Sequence, residues 1–125
     1  MKRIADVMTP QPWTVQLDDS LAIARRMVAE RGIHHLPVLD GDDVVGMVTE
    51  RDLAHAAHRL GTVADVMVSA HSVPMAAPIA EVLDMMMAGG LDAVVVTSSE
   101  GVEGIYTASD AVRMLLETLR RRRAA

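Results

Sequence analysis

The sequence predicts an α/β fold in which two β-α-β-β-α halves pack about a pseudo-twofold axis as one domain. Three observations carry this reading. The motif Gly46-Met47-Val48-Thr49-Glu50-Arg51-Asp52 returns 58 residues later as Gly104-Ile105-Tyr106-Thr107-Ala108-Ser109-Asp110, a shared Gly-x-x-Thr-x-x-Asp. Ala5-Asp6-Val7-Met8 likewise returns as Ala64-Asp65-Val66-Met67, and Val15/Val73, Ala22/Ala80, Met27/Met85, Gly32/Gly90, Val38/Val96 and Val44/Val102 fall in line between the two motifs. A repeat of this length decides architecture before any local pattern does. Finally, a half of this size leaves a sheet face bare, and two copies packed together cover it and leave a cleft between them.

The elements follow in order. A short strand is expected near Thr14-Val15. Asp18-Asp19-Ser20 offers helix N-caps, Leu21, Ala24, Met27 and Val28 recur at helical spacing, and Gly32 stops the helix. Leu36-Pro37-Val38-Leu39, a turn at Asp40-Gly41-Asp42-Asp43, and Val44-Val45-Gly46-Met47-Val48 read as a hairpin. A helix over about 50–60 ends the first half, with Gly61 as the joint, so the halves span 1–61 and 62–125. In the second half a strand at Val73-Pro74-Met75 leads to Pro78, placed at a first helical position. Ile79, Val82, Leu83 and Met86 then form the apolar stripe, and Gly89-Gly90 ends it. A hairpin over 93–97 and 102–106 and a helix over about 108–120 complete the pattern.

Composition narrows the function. Half the residues are hydrophobic, yet there is no Phe, one Trp, one Tyr and ten Met, so the core is aliphatic and Met-filled. Without Cys there is no disulfide, thiol nucleophile or thiolate metal site. A net charge of −5 argues against general nucleic-acid affinity, although Arg120 to Arg123 end the chain with four cations. No apolar run is long enough to span a membrane. No signal peptide is expected ahead of the first repeat, which makes the expected location cytoplasmic. No P-loop, Rossmann glycine fingerprint or Gly-x-Ser-x-Gly elbow is present, so an enzyme is not expected. His55 and His58 stand three apart on a helix without a third ligand, and no metal site is expected.

The repeated motif has two physical readings. A carboxylate accepts two hydrogen bonds at once and suits adjacent ribose hydroxyls. A helix N-terminus attracts phosphate, and the glycine lets a ligand approach the backbone. Thr-x-x-Asp is equally a capping box, in which both side chains serve the helix alone.

Asp6-Val7-Met8-Thr9-Pro10, the helix positions Leu21, Ala24 and Met27, His34-His35-Leu36-Pro37-Val38-Leu39-Asp40 and Gly46-Met47-Val48-Thr49-Glu50-Arg51-Asp52-Leu53, in that order and with a more diverged second copy, resemble the CBS domain family over essentially the whole chain. The resemblance implies a regulatory module, often a flat homodimer. Its cleft would bind an adenosine-containing small molecule such as AMP, ADP, ATP, S-adenosylmethionine or NAD and act on a regulated partner protein. It implies ribose contacts from Asp52 and Asp110, and ribose or phosphate contacts from Thr49 and Thr107. It also implies apolar walls from Thr14, Val15, His35 and Pro37 for one site, and from Val73 and Val94 for the other. Arg51, His34 and His35 are candidate phosphate partners without equivalents in the second half, so two unequal sites are expected. No cofactor is required on this reading. A constitutive dimerisation or scaffold module, with the motifs serving only as helix caps, is the alternative.

Overall fold

The computed structural model describes residues 2–56 and 60–124, and over them the expected elements occur twice. They are α1 (Ile4–Val7), β1 (Thr9–Pro10), β2 (Val15–Gln16), α2 (Leu21–Arg31), β3 (His35–Asp40), β4 (Asp43–Thr49) and α3 (Glu50–His55). A 3₁₀ turn (Val63–Asp65) leads to β5 (Ser72–Pro74), α4 (Ile79–Gly89), β6 (Ala93–Ser98), β7 (Gly101–Thr107) and α5 (Ala108–Ala124). The Ser20 hydroxyl caps α2 by accepting from the Ile23 N–H, and Gly32 and Gly90 end α2 and α4 in the left-handed conformation. Pro78 is the N-cap of α4 rather than its first helical residue. The expected helix over 50–60 is described to His55, with Ala56 as its C-cap. Residues 57–59, His58 among them, lie outside the described residues.

Two sheets result. One has the order β2-β3-β4 and the other β1-β7-β6-β5. In the first, β2 runs parallel to β3, and β3 pairs with β4 from His35↔Thr49 to Asp40↔Asp43. In the second, β5 runs parallel to β6, and β6 pairs with β7 from Ala93↔Thr107 to Ser98↔Gly101. Both hairpins carry a bulge one residue before the motif glycine, since Val38 faces Gly46 while Leu39 faces Val44, and Val96 faces Gly104 while Thr97 faces Val102.

The two-residue period of the strands divides the core. Leu36 and Val38 turn toward α2 and α3 with Val15, Leu21, Ala24, Val48 and Leu53. Val94 and Val96 turn the opposite way, toward Val82, Met86 and Tyr106 of the second half. Val95 alternates to the other face and meets Met47 and Ile105 in the seam between the halves. Within Met85-Met86-Met87, Met86 is core, Met85 packs at its edge, and Met87 is exposed.

The leading segment of each repeat belongs to the other half. β1 pairs with β7, Thr9 against Ile105 and Pro10 against Gly104. Ile4 is fully buried in the second core, and its N–H donates to the Ala77 carbonyl at 2.8 Å. Reciprocally, Val63 is buried in the first core, and Met47 and Val68 exchange two backbone hydrogen bonds of 2.9 Å each. The sequence repeat with its joint at Gly61 is therefore not the packing unit, because residues 4–10 complete the second sheet and 63–68 complete the first.

This exchange explains the motif glycines. A Cβ on Gly104 would stand 2.4 Å from the Met8 sulfur and 2.9 Å from the Thr9 carbonyl oxygen. A Cβ on Gly46 would stand 2.7 Å from the Met67 sulfur and 3.0 Å from the Val68 carbonyl oxygen. The space expected to admit a ligand is filled by a methionine from the other repeat. Gly104→Ala is expected to cost about 1–3 kcal/mol of stability through overpacking, and Gly46→Ala a similar amount, both read by urea denaturation.

Candidate functional site

The antiparallel hairpins deliver Thr49 and Thr107 to the ends of β4 and β7, where α3 and α5 begin. Both motifs form complete capping boxes. The Thr49 hydroxyl accepts from the Asp52 N–H at 3.0 Å, and Asp52 Oδ2 accepts from the Thr49 N–H at 3.1 Å. The Thr107 hydroxyl accepts from the Asp110 N–H at 3.2 Å, and Asp110 Oδ2 accepts from the Thr107 N–H at 2.8 Å. Each carboxylate keeps its other oxygen outside the cap. Asp110 Oδ1 accepts from the Arg113 guanidinium at 3.0 Å. Among the described residues Asp52 Oδ1 has no side-chain donor, so the two carboxylates are not equivalent.

Two clefts open beside these helix starts. The one of about 530 Å³ is lined by Thr107, Ser109, Asp110 and Arg113 from the start of α5, Thr9 and Ile105 from the exchanged strand pair, and Gly32, Ile33, His34 and His35 from the end of α2 and the start of β3. It is thus built from both repeats. The other, of about 430 Å³, is lined by Thr49, Glu50, Arg51 and Ala54 with His34, His35 and Asp92. Asp52 sits in the capping box beside it. The two clefts share His34 and His35, which register places next to Thr49 at the mouth of the seam.

The fold brings together Thr49, Arg51 and His35, and separately Thr107, Asp110 and His35. Of the expected apolar walls it brings only His35 to the clefts. Val15 is paired to Val38 and turned into the first core, and Val94 is turned into the second. Pro37 is fully buried. Val73 lines a separate groove with Pro74, Pro78 and Met85, and Thr14 lines neither cleft. For Val15 and Val94 strand alternation is the reason, because alternate residues of a strand face the core; Pro37 shares the strand face of His35 and is buried opposite Met47 in the seam. Residues the sequence reading passed over take their place: Thr9, Ile33 and Ile105 as walls, with Asp92 and Arg113 as charged groups. Arg113 was within reach of the sequence, since it stands one helical turn after Asp110. Thr9 was not, because only the segment exchange carries it across.

The electrostatics of the shared histidines differ. His34 Nδ1 meets Glu50 Oε2 on the surface, a pair exposed enough to contribute little to stability. Burial holds the His35 pKa below its ordinary 6.5; Asp92, Asp110 and Asp52 oppose that shift, and His34 adds to it. Deep in the second half, burial and the nearby Asp110 push the Tyr106 hydroxyl above its ordinary range. No group of His, Asp and Glu suited to a metal ion occurs among the described residues, and no described helix is long and apolar enough to cross a membrane.

An α/β pair of repeats with exchanged leading segments and a cleft at each Thr-x-x-Asp helix start defines a tandem-repeat module with two clefts. The sequence pattern of the CBS domain matches residues 4–59 and 63–117, and the chain belongs to the CBS domain family as a tandem pair. It is 29% identical over 114 residues to inosine-5′-monophosphate dehydrogenase of Thermoplasma acidophilum, covering 90% of this chain and 23% of that one. It is 31% identical over 115 residues to the same enzyme of Nitrosopumilus maritimus, covering 88% and 24%. The chain therefore spans about a quarter of the length of these relatives. Among solved structures it resembles the CBS domain pair of protein MJ0100 in complex with 5′-methylthioadenosine and S-adenosyl-L-methionine, with a TM-score of 0.85, 24% identity and coverage of 94% and 98%. It also resembles CBSX2 in complex with AMP, with a TM-score of 0.81, 21% identity and coverage of 94% and 98%.

The depressed pKa of His35 has a consequence for folding. The unfolded chain takes a proton at this residue before the folded one does, so its contribution to stability is full above pH 6.5 and is lost as pH falls through the folded value. His35→Gln is expected to lessen the loss of stability between about pH 7 and about pH 5.5, measured by urea denaturation at both.

Proposed function

We propose that this CBS pair is a ligand-sensing regulatory module that binds an adenosine-containing small molecule in the clefts between its repeats, from the class of AMP, ADP, ATP, S-adenosylmethionine and NAD. The observation that carries the reading is the larger cleft. There Thr107 and Asp110, at the positive end of a 17-residue helix, face Thr9, Ile33 and His35 from the other repeat. A carboxylate for ribose, apolar walls for a base and a cation within the same cleft suit a nucleoside derivative. The likeness to CBS pairs solved with S-adenosylmethionine and AMP supports the same class. Because each cleft joins both repeats, a ligand there favours one relative placement of the halves, which is what sensing requires.

A second reading has its own observation. Both capping boxes are completed by the chain's own Thr and Asp side chains, and α5 carries Val112, Leu115, Leu116 and Leu119 on one face, 43–67% exposed. That stripe, at i, i+3, i+4 and i+7, is the seat of a homodimer on either reading. In the scaffold alternative it is the whole function.

A ligand at 100 times its dissociation constant stabilises the fold by about 2.7 kcal/mol, so a thermal-shift series with the five compounds separates the readings. At least one should raise the melting temperature, and silence from all five would leave the scaffold. Asp110→Asn retains an acceptor for the cap but not the charge. It is expected to weaken binding about 10- to 100-fold by calorimetry, and unchanged affinity in it and in Asp52→Asn would remove the ribose assignment. Replacing Leu115 and Leu119 by Glu should convert a dimer to a monomer in light scattering, with folding retained by circular dichroism.

A further inference from the structure

His34 and His35 line both clefts, but only His35 is uncommitted, since His34 is paired with Glu50. His35 opens β3 opposite Thr49, half-buried at the mouth of the seam, and its ring makes no hydrogen bond among the described residues. Asp52 acts on it from α3, Asp110 from α5 and Asp92 from the segment ahead of β6, with His34 beside it. The fixed cations lie one to a cleft, Arg51 in the smaller and Arg113, already bound to Asp110, in the larger, with Glu50 also on the wall of the smaller. The repeat gives His35 no twin, because Ala93 stands at the equivalent position.

We propose that the protonation state of His35 sets which charge of adenosine ligand the paired clefts accept. This rests on the adenosine-binding reading above. With a neutral imidazole, three carboxylates dominate the place where the clefts meet, and a cationic group is favoured there. With an imidazolium, two N–H donors become available, one on each ring nitrogen, and an anionic phosphate is favoured in either cleft. Burial keeps the free ring neutral above pH 6.5. An arriving phosphate therefore draws a proton onto His35, and an arriving sulfonium or ammonium group opposes that proton. The specificity of both clefts is tied to one side chain.

The test reads His35 directly, by NMR titration of the histidine ring carbons in the full chain, with His35→Gln identifying its signal. The protein is titrated alone and with saturating AMP, S-adenosylmethionine or adenosine. AMP is expected to raise the His35 pKa by about one unit or more, S-adenosylmethionine to lower it, and adenosine to leave it in place. Calorimetry at about pH 6 and about pH 7.5 adds a second readout. The tightening of AMP binding on acidification should be greater in the wild type than in His35→Gln, a difference that cancels the phosphate's own titration near pH 6. A His35 pKa unmoved by bound AMP, or moved the same way by AMP and S-adenosylmethionine, overturns the proposal while leaving adenosine binding intact. Failure of these three compounds and of ADP, ATP and NAD to bind at either pH overturns the adenosine reading and this proposal together.

Discussion

Everything in this protein depends on the contact between a methionine and a bare glycine backbone, made twice. Met8 lies over Gly104 and Met67 over Gly46, each brought there by a leading segment that has crossed to the other repeat. The crossing places Thr9 beside Ile105 and Val68 beside Met47. It thereby sets the two halves at a fixed spacing and leaves the clefts at the helix starts. Remove the small residue and the strand cannot lie flat; remove the strand and the second sheet loses an edge and its core loses Ile4.

On the proposed function, the Thr-x-x-Asp motif uses one pair of side chains for stability and recognition together. A capping box uses one carboxylate oxygen, and the second remains for something else. In α5 that second oxygen holds Arg113, while in α3 it faces no donor among the described residues. Capping and the proposed binding are therefore compatible uses of Asp52, whose second oxygen stays outside the cap, while at Asp110 a ligand would share the carboxylate with Arg113. The cap holds the carboxylate in place, and a carboxylate already held loses less entropy on meeting a ligand.

Much of this was legible in the sequence. The repeat, both hairpins, the stops at Gly32 and Gly90 and the pairing of Thr49 with Asp52 follow from spacing and residue type, because those features are local. What the sequence concealed was non-local. Periodicity cannot show that residues 4–10 pack with residues 93–107, since both halves carry the same pattern and either pairing satisfies it. The expected apolar walls suffered from the same blindness: Val15 and Val94 are apolar, yet strand alternation turns them into the two cores, and Pro37 is buried opposite Met47 in the seam. Ile33, Thr9 and Ile105 reach the clefts by tertiary packing alone. Even the glycine had a local explanation, room for a ligand, that the methionine displaced.

The crossed segments also bear on how the chain is made. Synthesis makes residues 4–10 well before the strand they pair with, β7. The first sheet is complete once Val68 has appeared, whereas the second waits for the last hairpin before its earliest-made part has a place to go. During that interval Ile4, Val7 and Met8 are apolar and unhoused. Contacts between such distant parts of a chain close slowly, so the nascent chain carries an exposed apolar stretch at residues 4–8 until residues 101–107 have been made.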